Sequence, residues 1–243
     1  MAGRSKAETA AVQPGGKASK PTGTTAVSRK LQAADDTAAG GSRSARKRRA
    51  ILEAATEVFL RDGYLGASMD EIAALSAVSK QTVYKHFTSK EALFVEIVSS
   101  MTQAAGDRVH HEPAEPTSRA ALRAYLEDYA LRQLTIVLTP RLMQLRRLVI
   151  GEVPRFPELA RVLHERGPMR AITALAALFE RLAGRSLLKL DDPQRAASHF
   201  NWLVMSEALN RAMLLGDAGI PKPAELRREA ADGVRVFLAA YGR

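Results

Sequence analysis

The stretch Ser68–Lys90, SMDEIAALSAVSKQTVYKHFTSK, constrains the fold of this chain more than any other segment. Ser68 is a favoured helix N-cap, and Glu71 follows three residues later, which is the spacing of a capping box. The next apolar residues recur on one face of a helix: Met69, Ile72 and Ala73. The pattern predicts a short helix that is capped by Ser68 and buries one face.

A second short helix is predicted to begin almost at once. Ala77 and Val78 fill a tight turn, and Ser79 can act as the next N-cap. Val83 and Phe87 form an apolar pair at i, i+4, beneath an outward-facing polar surface made of Lys80, Gln81, Tyr84 and Lys85. This is the pattern of a helix-turn-helix. Because so short a helix is only marginally stable in isolation, it must pack against neighbouring helices.

Neighbouring helices are predicted on both sides of this motif. The run ILEAATEVFLRDGY places apolar residues on one helical face, with Gly63 in the role of a C-terminal glycine. After the motif, Ser89 can cap a fourth helix with this apolar stripe: Leu93, Phe94, Ile97, Val98 and Met101. We therefore predict a three-helix domain over residues 46–108, with the fourth helix leading out of it.

Several polar residues of this domain are candidates for contact with DNA. Helix N-termini favour phosphate, which places three possible anion sites at Ser68, Ser79 and Ser89. Early residues in the second helix of such motifs face base edges, where Lys80 can donate to guanine and Gln81 can pair with adenine. Residues 46–107 hold eight basic and eight acidic side chains. The net charge of this segment is therefore zero, and its affinity for DNA must come from the positions of the basic side chains.

Residues 1–45 have few large apolar side chains and are predicted to form a disordered basic arm. An acid-free basic run precedes the first helix: Arg43, Arg46, Lys47, Arg48 and Arg49. Arg46 and Arg49 are candidates to reach phosphates or a minor groove, as basic arms on three-helix DNA-binding domains do. The alternative is a solvated tail that keeps the protein soluble.

The composition narrows the classes of function. The 243 residues are 46% hydrophobic, and the formal net charge of +10 suits a polyanionic partner. Cys is absent, which excludes disulfides, thiolate metal sites and Cys nucleophiles. No apolar run has the length of a membrane span or the character of a secretory signal, so we expect a soluble, cytoplasmic protein without membrane contact.

Enzyme motifs are not found in a suitable context. The chain lacks a GxSxG, P-loop or GxGxxG motif in the required setting. His110, His111 and Glu112 are adjacent and lack the i, i+4 spacing of a helical metal pair. We predict no catalytic residues, no cofactor and no metal.

Residues 109–243 are predicted to be helical to their end, which makes the whole chain all-α. Breaks are expected at Pro140, at the Gly167–Pro168 pair and before the helices that begin near Pro193 and Pro223. The helix from Pro193 to Leu215 is apolar nearly all round and needs cover on two sides. We predict a homodimer in which this helix and the last one pair with the same two helices of a second copy. A larger monomeric core is the alternative.

The segment from about Arg46 to Met101 resembles the DNA-binding domain of the TetR family of bacterial transcription regulators. These runs carry the resemblance: ILEAATEVFLRDGY, Ile72–Ala73, Val78–Ser79, TVYKHF and SKEAL. Many members have Gly where this chain has Ala77, a difference that matters only if the position needs positive φ. The resemblance implies phosphate contacts from Thr82, Tyr84, His86 and Lys90. Alternatively, His86 caps or packs the helix end and Tyr84 covers the edge of the domain.

Beyond Leu145 the chain resembles the C-terminal domain of the AefR-like branch of this family, through LRRLVIGEVPRFPELA, ERGP and HFNWLVMSEALNRAMLLGD. In the family, helices of this domain enclose a pocket for a small, often apolar or aromatic effector. The resemblance implies these pocket candidates: Tyr125, Tyr129, Phe156, Phe179, His199, Trp202 and Asn210. For each of them, packing in the core or in a dimer interface is the alternative.

We predict an all-α, homodimeric transcription regulator. An N-terminal helix-turn-helix domain would bind a palindromic operator in double-stranded DNA, and a larger helical domain over residues 109–243 would bind an effector and dimerise. The protein would repress transcription until an unknown small-molecule effector released it from DNA. Two other classes are open: a non-specific architectural DNA-binding protein, and a small-molecule hydrolase or binding protein without a DNA role.

Overall fold

The computed structural model describes the backbone of residues 24–110 and 114–242, and side chains from residue 43 onward within those ranges. The helices are α1 (Thr24–Gly66), α2 (Met69–Leu75), α3 (Lys80–His86), α4 (Lys90–Val109), α5 (Arg119–Val137), α6 (Pro140–Gly151), α7 (Pro157–His164), α8 (Arg170–Gly184), α9 (Pro193–Leu215) and α10 (Pro223–Tyr241). These ranges contain no strand, and the predicted all-α fold class is confirmed. Within them, no helix combines the length and the apolar character that crossing a bilayer requires.

Helix α1 begins at Thr24, whereas the sequence predicted a disordered arm over residues 1–45. The prediction therefore differs from the structure over residues 24–45. Residues 24–45 are rich in alanine and contain no proline. A helix nucleated farther along can extend through such a segment, because propagation is favourable for good helix formers. The remainder of the predicted arm, residues 1–23, lies outside the described residues, as do His111 and Glu112.

The predicted helix breaks occur where proline or glycine interrupts the chain. Gly63 has a φ of 73°, in the left-handed region that glycine adopts without strain, and it interrupts α1 near its end. Pro140 and Pro193 lie in the first turns of α6 and α9, where their missing N–H costs no hydrogen bond. The Gly167–Pro168 pair lies in a π-helical segment, Glu165–Met169, between α7 and α8.

The predicted capping box at the start of α2 is only half formed. The Ser68 hydroxyl accepts a hydrogen bond from the Asp70 backbone N–H at 3.2 Å, as an N-cap should. The reciprocal bond from Glu71 was a wrong prediction, because the Arg61 guanidinium binds that carboxylate instead. A charge-assisted bond to a guanidinium is stronger than one to a neutral backbone N–H.

Ala77, in the turn between α2 and α3, has a φ of 51°. This turn therefore does need a positive φ, the condition under which an alanine Cβ is costly. The left-handed conformation costs a residue with a Cβ about 1–2 kcal/mol, whereas glycine adopts it freely. The chain tolerates this local strain at the turn that sets the angle between the two helices of the motif.

The substitution Ala77→Gly is expected to raise the free energy of unfolding by about 1 kcal/mol, because the strain removed exceeds the extra entropy that glycine has when unfolded. Denaturation in urea should show a higher midpoint with an unchanged slope. Ala74→Gly is the control: Ala74 is exposed within α2, where glycine should cost about 1 kcal/mol. A loss of stability in both variants would contradict the assignment of strain to Ala77.

Two clusters of buried apolar side chains hold the helices together. We call residues 46–108 the reading head and residues 109–243 the body. The reading-head core joins α1–α4 to the α6–α7 region, and its main members are Ile51, Val58, Phe59, Ile72, Val83, Phe87, Leu93, Phe94, Ile97, Val98, Leu145, Val149, Phe156 and Leu159. The body core joins α5, α8, α9 and α10, and its main members are Leu126, Tyr129, Leu134, Leu175, Phe179, Leu182, Phe200, Val204, Val234 and Phe237. The reading head is thus packed directly against part of the body.

Four aromatic rings make the contact between the reading head and the α6–α7 turn. The ring of Phe94 lies 5.0 Å from that of Phe59 and 5.2 Å from that of Tyr64, measured between centroids. Tyr64 in turn meets Phe156 edge-on at 4.5 Å. Edge-to-face and tilted ring pairs at these distances are favourable. Phe156 is therefore a member of the reading-head core, and its contact with an effector stays a prediction.

Candidate nucleic-acid interface and ligand cavity

Helix α3 presents one polar face to solvent because its other face is anchored. Val83 is fully buried and Phe87 nearly so. The Ser79 hydroxyl caps the helix by accepting from the Thr82 backbone N–H at 3.2 Å, and it lies 2.8 Å from the Thr82 hydroxyl. The exposed side chains are Lys80, Gln81, Tyr84 and Lys85. The predicted reading surface is therefore accessible on a short helix that its neighbours fix in place.

Lys80, a predicted base contact, forms an ion pair in the unbound protein. Its ammonium lies 2.7 Å from the Asp70 carboxylate of α2. This hydrogen bond raises the pKa of Lys80 above its ordinary value. Solvent screens exposed pairs of this kind, so Lys80 can exchange Asp70 for a base at small cost. The part played by Asp70 was not foreseen from the sequence.

Lys90, at the start of α4, has a structural role that the sequence did not indicate. Its ammonium donates a hydrogen bond to the Leu65 carbonyl at 3.2 Å and lies 4.8 Å from the centre of the Tyr64 ring. Burial lowers the pKa of this ammonium. Ser89 caps α4 beside it, accepting from the Ala92 N–H at 3.0 Å. A phosphate contact by Lys90 stays a prediction.

The basic run before the first core residues is divided between two environments. Arg46 and Arg49 are exposed, as DNA-contacting residues must be. Arg48 instead pairs with Glu96 of α4 at 2.7 Å, and its guanidinium lies 5.2 Å from the centre of the Phe87 ring. Such cation–π contacts and exposed ion pairs each add modest stability. Arg48 thus holds α1 against α4 and the end of α3.

The remaining predicted phosphate contacts have mixed exposure. Ser68 is exposed at the N-terminus of α2, and Tyr84 is exposed on α3. His86 is half-buried in the last turn of α3, with its ring tilted over Phe87 at 6.4 Å between centroids. This position fits both the predicted phosphate contact and the alternative packing role.

A cavity lies inside the body, between α4, α5, α6, α9 and the π-helical segment. Its volume is about 80 Å³, which leaves room for only a few water molecules. Its wall is mostly apolar, and the polar side chains that reach it are Thr102, His110, Gln133, Arg146 and Asn201. Among the described residues, no Asp or Glu lines it.

Gln133 and Asn201 form a buried polar pair across this cavity. The Gln133 amide N–H donates to the Asn201 carbonyl oxygen at 2.7 Å. Gln133 is 4% exposed, and its own Oε1 has no hydrogen-bond partner among the described residues. Leaving a buried polar atom unpaired costs about 1–3 kcal/mol. Such an orphaned acceptor is a common mark of a site for a missing ligand or water.

The structure brings few of the predicted effector-pocket residues to this cavity. Trp202 lines it, but Phe179 lies in the body core and Phe156 in the reading-head core, while His199 and Asn210 are exposed. Tyr125 and Tyr129 line a separate, much smaller cavity of about 10 Å³. There, burial raises the pKa of the Tyr129 phenol, whose oxygen lies 3.4 Å from His110 Nδ1. The seven candidates therefore lie in several places, and their contact with an effector stays a prediction.

Sequence reasoning missed Gln133, Asn201 and Arg146. A signal for the first two was present, since each interrupts an apolar helical run, LRQLTIVL and HFNWLVM. A polar residue on the buried face of a helix needs a partner. Such a position indicates either a structural pair or a binding site.

An exposed apolar face runs along α9 and α10. Trp202 is 44% exposed, Leu203 40% and Val236 41%. Beside them, the ring of His199 is 2.6 Å from the Tyr241 hydroxyl, and the five residues line a shallow groove with Ser206 and Ala240. Contiguous apolar patches of this kind mark interaction surfaces.

Both parts of the chain match known families. Residues 51–97 match the bacterial regulatory proteins of the tetR family, and residues 124–243 match the C-terminal domain of AefR-like transcriptional repressors. The solved structure of a TetR-family regulator from Mesorhizobium loti is 38% identical, with a TM-score of 0.73, and the match covers 83% of this chain and 99% of that one. For the flavonoid-responsive regulator FrrA the values are 33% identity, a TM-score of 0.67, and coverage of 82% and 98%.

Curated relatives match mainly over part of their length. The transcriptional repressor NicS of Pseudomonas putida is 33% identical over 109 residues, which is 41% of this chain and 50% of NicS. The chain spans about half the length of the curated relatives it matches. The matched families consist of transcription regulators and not of enzymes. The capped, outward-facing α3 and these matches lead to one conclusion: the chain belongs to the TetR family of DNA-binding transcriptional regulators.

Proposed function

We propose that this protein is a homodimeric repressor that binds a palindromic operator and leaves it when a small molecule enters the body. The observation that carries the proposal is the exposed polar face of α3, held in place by the Ser79 cap and the buried Val83 and Phe87. A helix displayed in this way fits the major groove, which admits one α-helix. Since such a regulator acts on the chromosome, we also propose a cytoplasmic location.

The exposed apolar face of α9 and α10 supports the homodimer. Two copies related by a two-fold axis would cover this face with its own counterpart and place two α3 helices on one side of DNA. Helix-turn-helix dimers read half-sites about 34–36 Å apart, or a multiple of that spacing. The proposal therefore predicts an operator whose two halves are inverted copies.

The cavity supports release by a small molecule, because its walls are connected to the reading head. Helix α4 is capped by Ser89 in the reading head, and its other end, with Thr102 and Gly106, lines the cavity. Helix α6 also has two roles: Leu145 packs in the reading-head core and contributes to the cavity wall. A molecule that widens the cavity would move both helices. It would thereby favour a distance between the two reading heads of the dimer that no longer fits the operator.

Footprinting tests the proposal as a whole. Duplexes selected from a random pool by the purified full-length protein should share an inverted repeat, and footprints upstream of its own gene should cover that repeat. Cell extracts or compound libraries added afterwards should contain a fraction that removes the footprint. Binding that shows no sequence preference would favour an architectural protein, and the absence of any retardation would favour a protein without a DNA role.

Gln81→Ala tests the base contact within this proposal. The variant should lose about 1–3 kcal/mol of discrimination at one position in each half-site, because a glutamine–adenine pair is removed. Gel-shift titrations against all single-base variants of the selected operator would locate that position. Lys85→Ala, also exposed on α3, is the control: it should weaken binding to all duplexes alike and reduce the salt dependence by about one phosphate contact. Equal loss across all operator variants for Gln81→Ala would contradict the base contact.

A further inference from the structure

The polar atoms of the cavity specify more about its ligand than size and apolarity do. Arg146 lies on α6, half-buried, with its side chain in the cavity wall. Within the described residues it has no carboxylate at ion-pair distance, in contrast to its neighbour Arg147, which pairs with Asp217 at 2.9 Å. Since no described acidic residue lines the cavity either, the guanidinium charge is not balanced locally.

An unbalanced charge in such a position is costly. Burial lowers the pKa of Arg146, which shows that the wall disfavours the charged form. A guanidinium nevertheless stays protonated in proteins, so loss of a proton does not remove this charge, whereas an anion bound beside it would balance it. The cavity is therefore suited to bind a ligand with an anionic group beside Arg146.

The second feature is the buried Oε1 of Gln133, a residue that lines the same cavity, and this oxygen has no hydrogen-bond partner among the described residues. One amide N–H of Gln133 donates to Asn201 Oδ1 at 2.7 Å, and the Oε1 of the same amide keeps its lone pairs available to accept a hydrogen bond. The rest of the wall is mostly apolar and includes Trp202, Leu209 and Val137. Pockets of this type bury an apolar body and orient it by a few polar contacts.

We propose that the cavity takes a small organic acid, with a carboxylate that pairs with Arg146, an apolar body, and a hydroxyl group that donates to Gln133 Oε1. A carboxylate fits better than a phosphate ester, because one guanidinium balances one negative charge and Arg146 is the sole Arg or Lys among the described residues that line the cavity. The inference rests on the proposed release by a small molecule and names the class of that molecule. Since the cavity holds only about 80 Å³, binding must widen it, and the irregular π-helical turn with Gly167 and Pro168 forms part of the wall.

Matched acids and esters test this proposal on the DNA-free, full-length protein. The probes are 4-hydroxybenzoate, 4-hydroxyphenylacetate and 4-hydroxycinnamate, each compared with its methyl ester by isothermal titration calorimetry. At least one acid should bind, and its methyl ester should bind about 30-fold or more weakly, as expected when one partner of a buried charge pair is removed. Trp202 provides an independent readout, because it is the sole tryptophan of the chain and lines the cavity.

Arg146→Met should abolish the preference for the acid while retaining the fold, which circular dichroism would verify. Arg141→Met is the matched control, because Arg141 is an exposed arginine on the same helix that does not line the cavity. Equal affinity for acid and ester, no binding of any acid at millimolar concentration, or an undiminished preference in Arg146→Met would each overturn the proposal. If Arg146→Met does not fold, the comparison of acid and ester on the unmodified protein decides alone.

The same experiment separates this inference from the proposed function. Calorimetry without DNA measures the ligand class, whereas footprinting without ligand measures operator binding. A protein that binds its operator but prefers the esters would retain the proposed function and lose this inference. A protein that prefers the acids but ignores every duplex would do the reverse.

Discussion

Phe94→Ala is expected to lower the free energy of unfolding by about 3–5 kcal/mol and to abolish operator binding at physiological temperature. Phe94 is fully buried in the reading-head core, where its ring contacts those of Phe59 and Tyr64. Truncation of a buried phenylalanine removes its transfer free energy and leaves a cavity, and both effects destabilise the fold. Whole domains are stable by about 5–15 kcal/mol, so this loss is a large fraction of the total.

Thermal and urea denaturation, followed by circular dichroism, would measure this loss. Tyr84→Ala is the matched control, since it also removes an aromatic ring from the same domain but from an exposed position on α3. Its free energy of unfolding should change by less than about 0.5 kcal/mol, while DNA binding weakens. A change below about 1 kcal/mol for Phe94→Ala would show that the four-ring cluster does not organise the reading head.

Local features of the fold could be predicted well from the sequence, since their causes lie within a few residues. Ser79 and Ser89 cap helices because their side chains reach N–H groups three residues ahead. Pro140 and Pro193 begin helices because proline fits the first turn. The Gly167–Pro168 pair interrupts its helix for an equally local reason.

The residues that line the cavity could not be predicted in the same way, because their positions depend on contacts between helices that are distant in the sequence. Gln133 of α5 and Asn201 of α9 meet only when the body is assembled. Phe156 has the composition of a pocket residue, yet the α6–α7 turn places it against Tyr64 of the reading head. Arg146 and Arg147 are adjacent and identical in type, and helical geometry alone directs one to the cavity and the other to Asp217.

The proposed homodimer leads to the other large expected effect. Leu203→Asp should convert the protein from dimer to monomer and reduce operator binding by about 100-fold or more. Leu203 lies on the exposed apolar face of α9, and in a two-fold interface each copy would bring a carboxylate into the same apolar contact. A monomer has one reading head, so it loses the gain in effective concentration that a second, linked head provides.

Sedimentation equilibrium and gel shift on the same samples measure both consequences. Ile150→Asp is the matched control: Ile150 is 52% exposed on α6 and is not among the residues that line the α9–α10 groove, so this variant should leave the dimer intact. Folding should be preserved in both variants, since each replaced side chain is already in contact with solvent. A Leu203→Asp protein that sediments as a dimer would place the interface elsewhere. A monomer that still binds the full operator with undiminished affinity would show that each head acts independently, which would remove the reason for an inverted repeat.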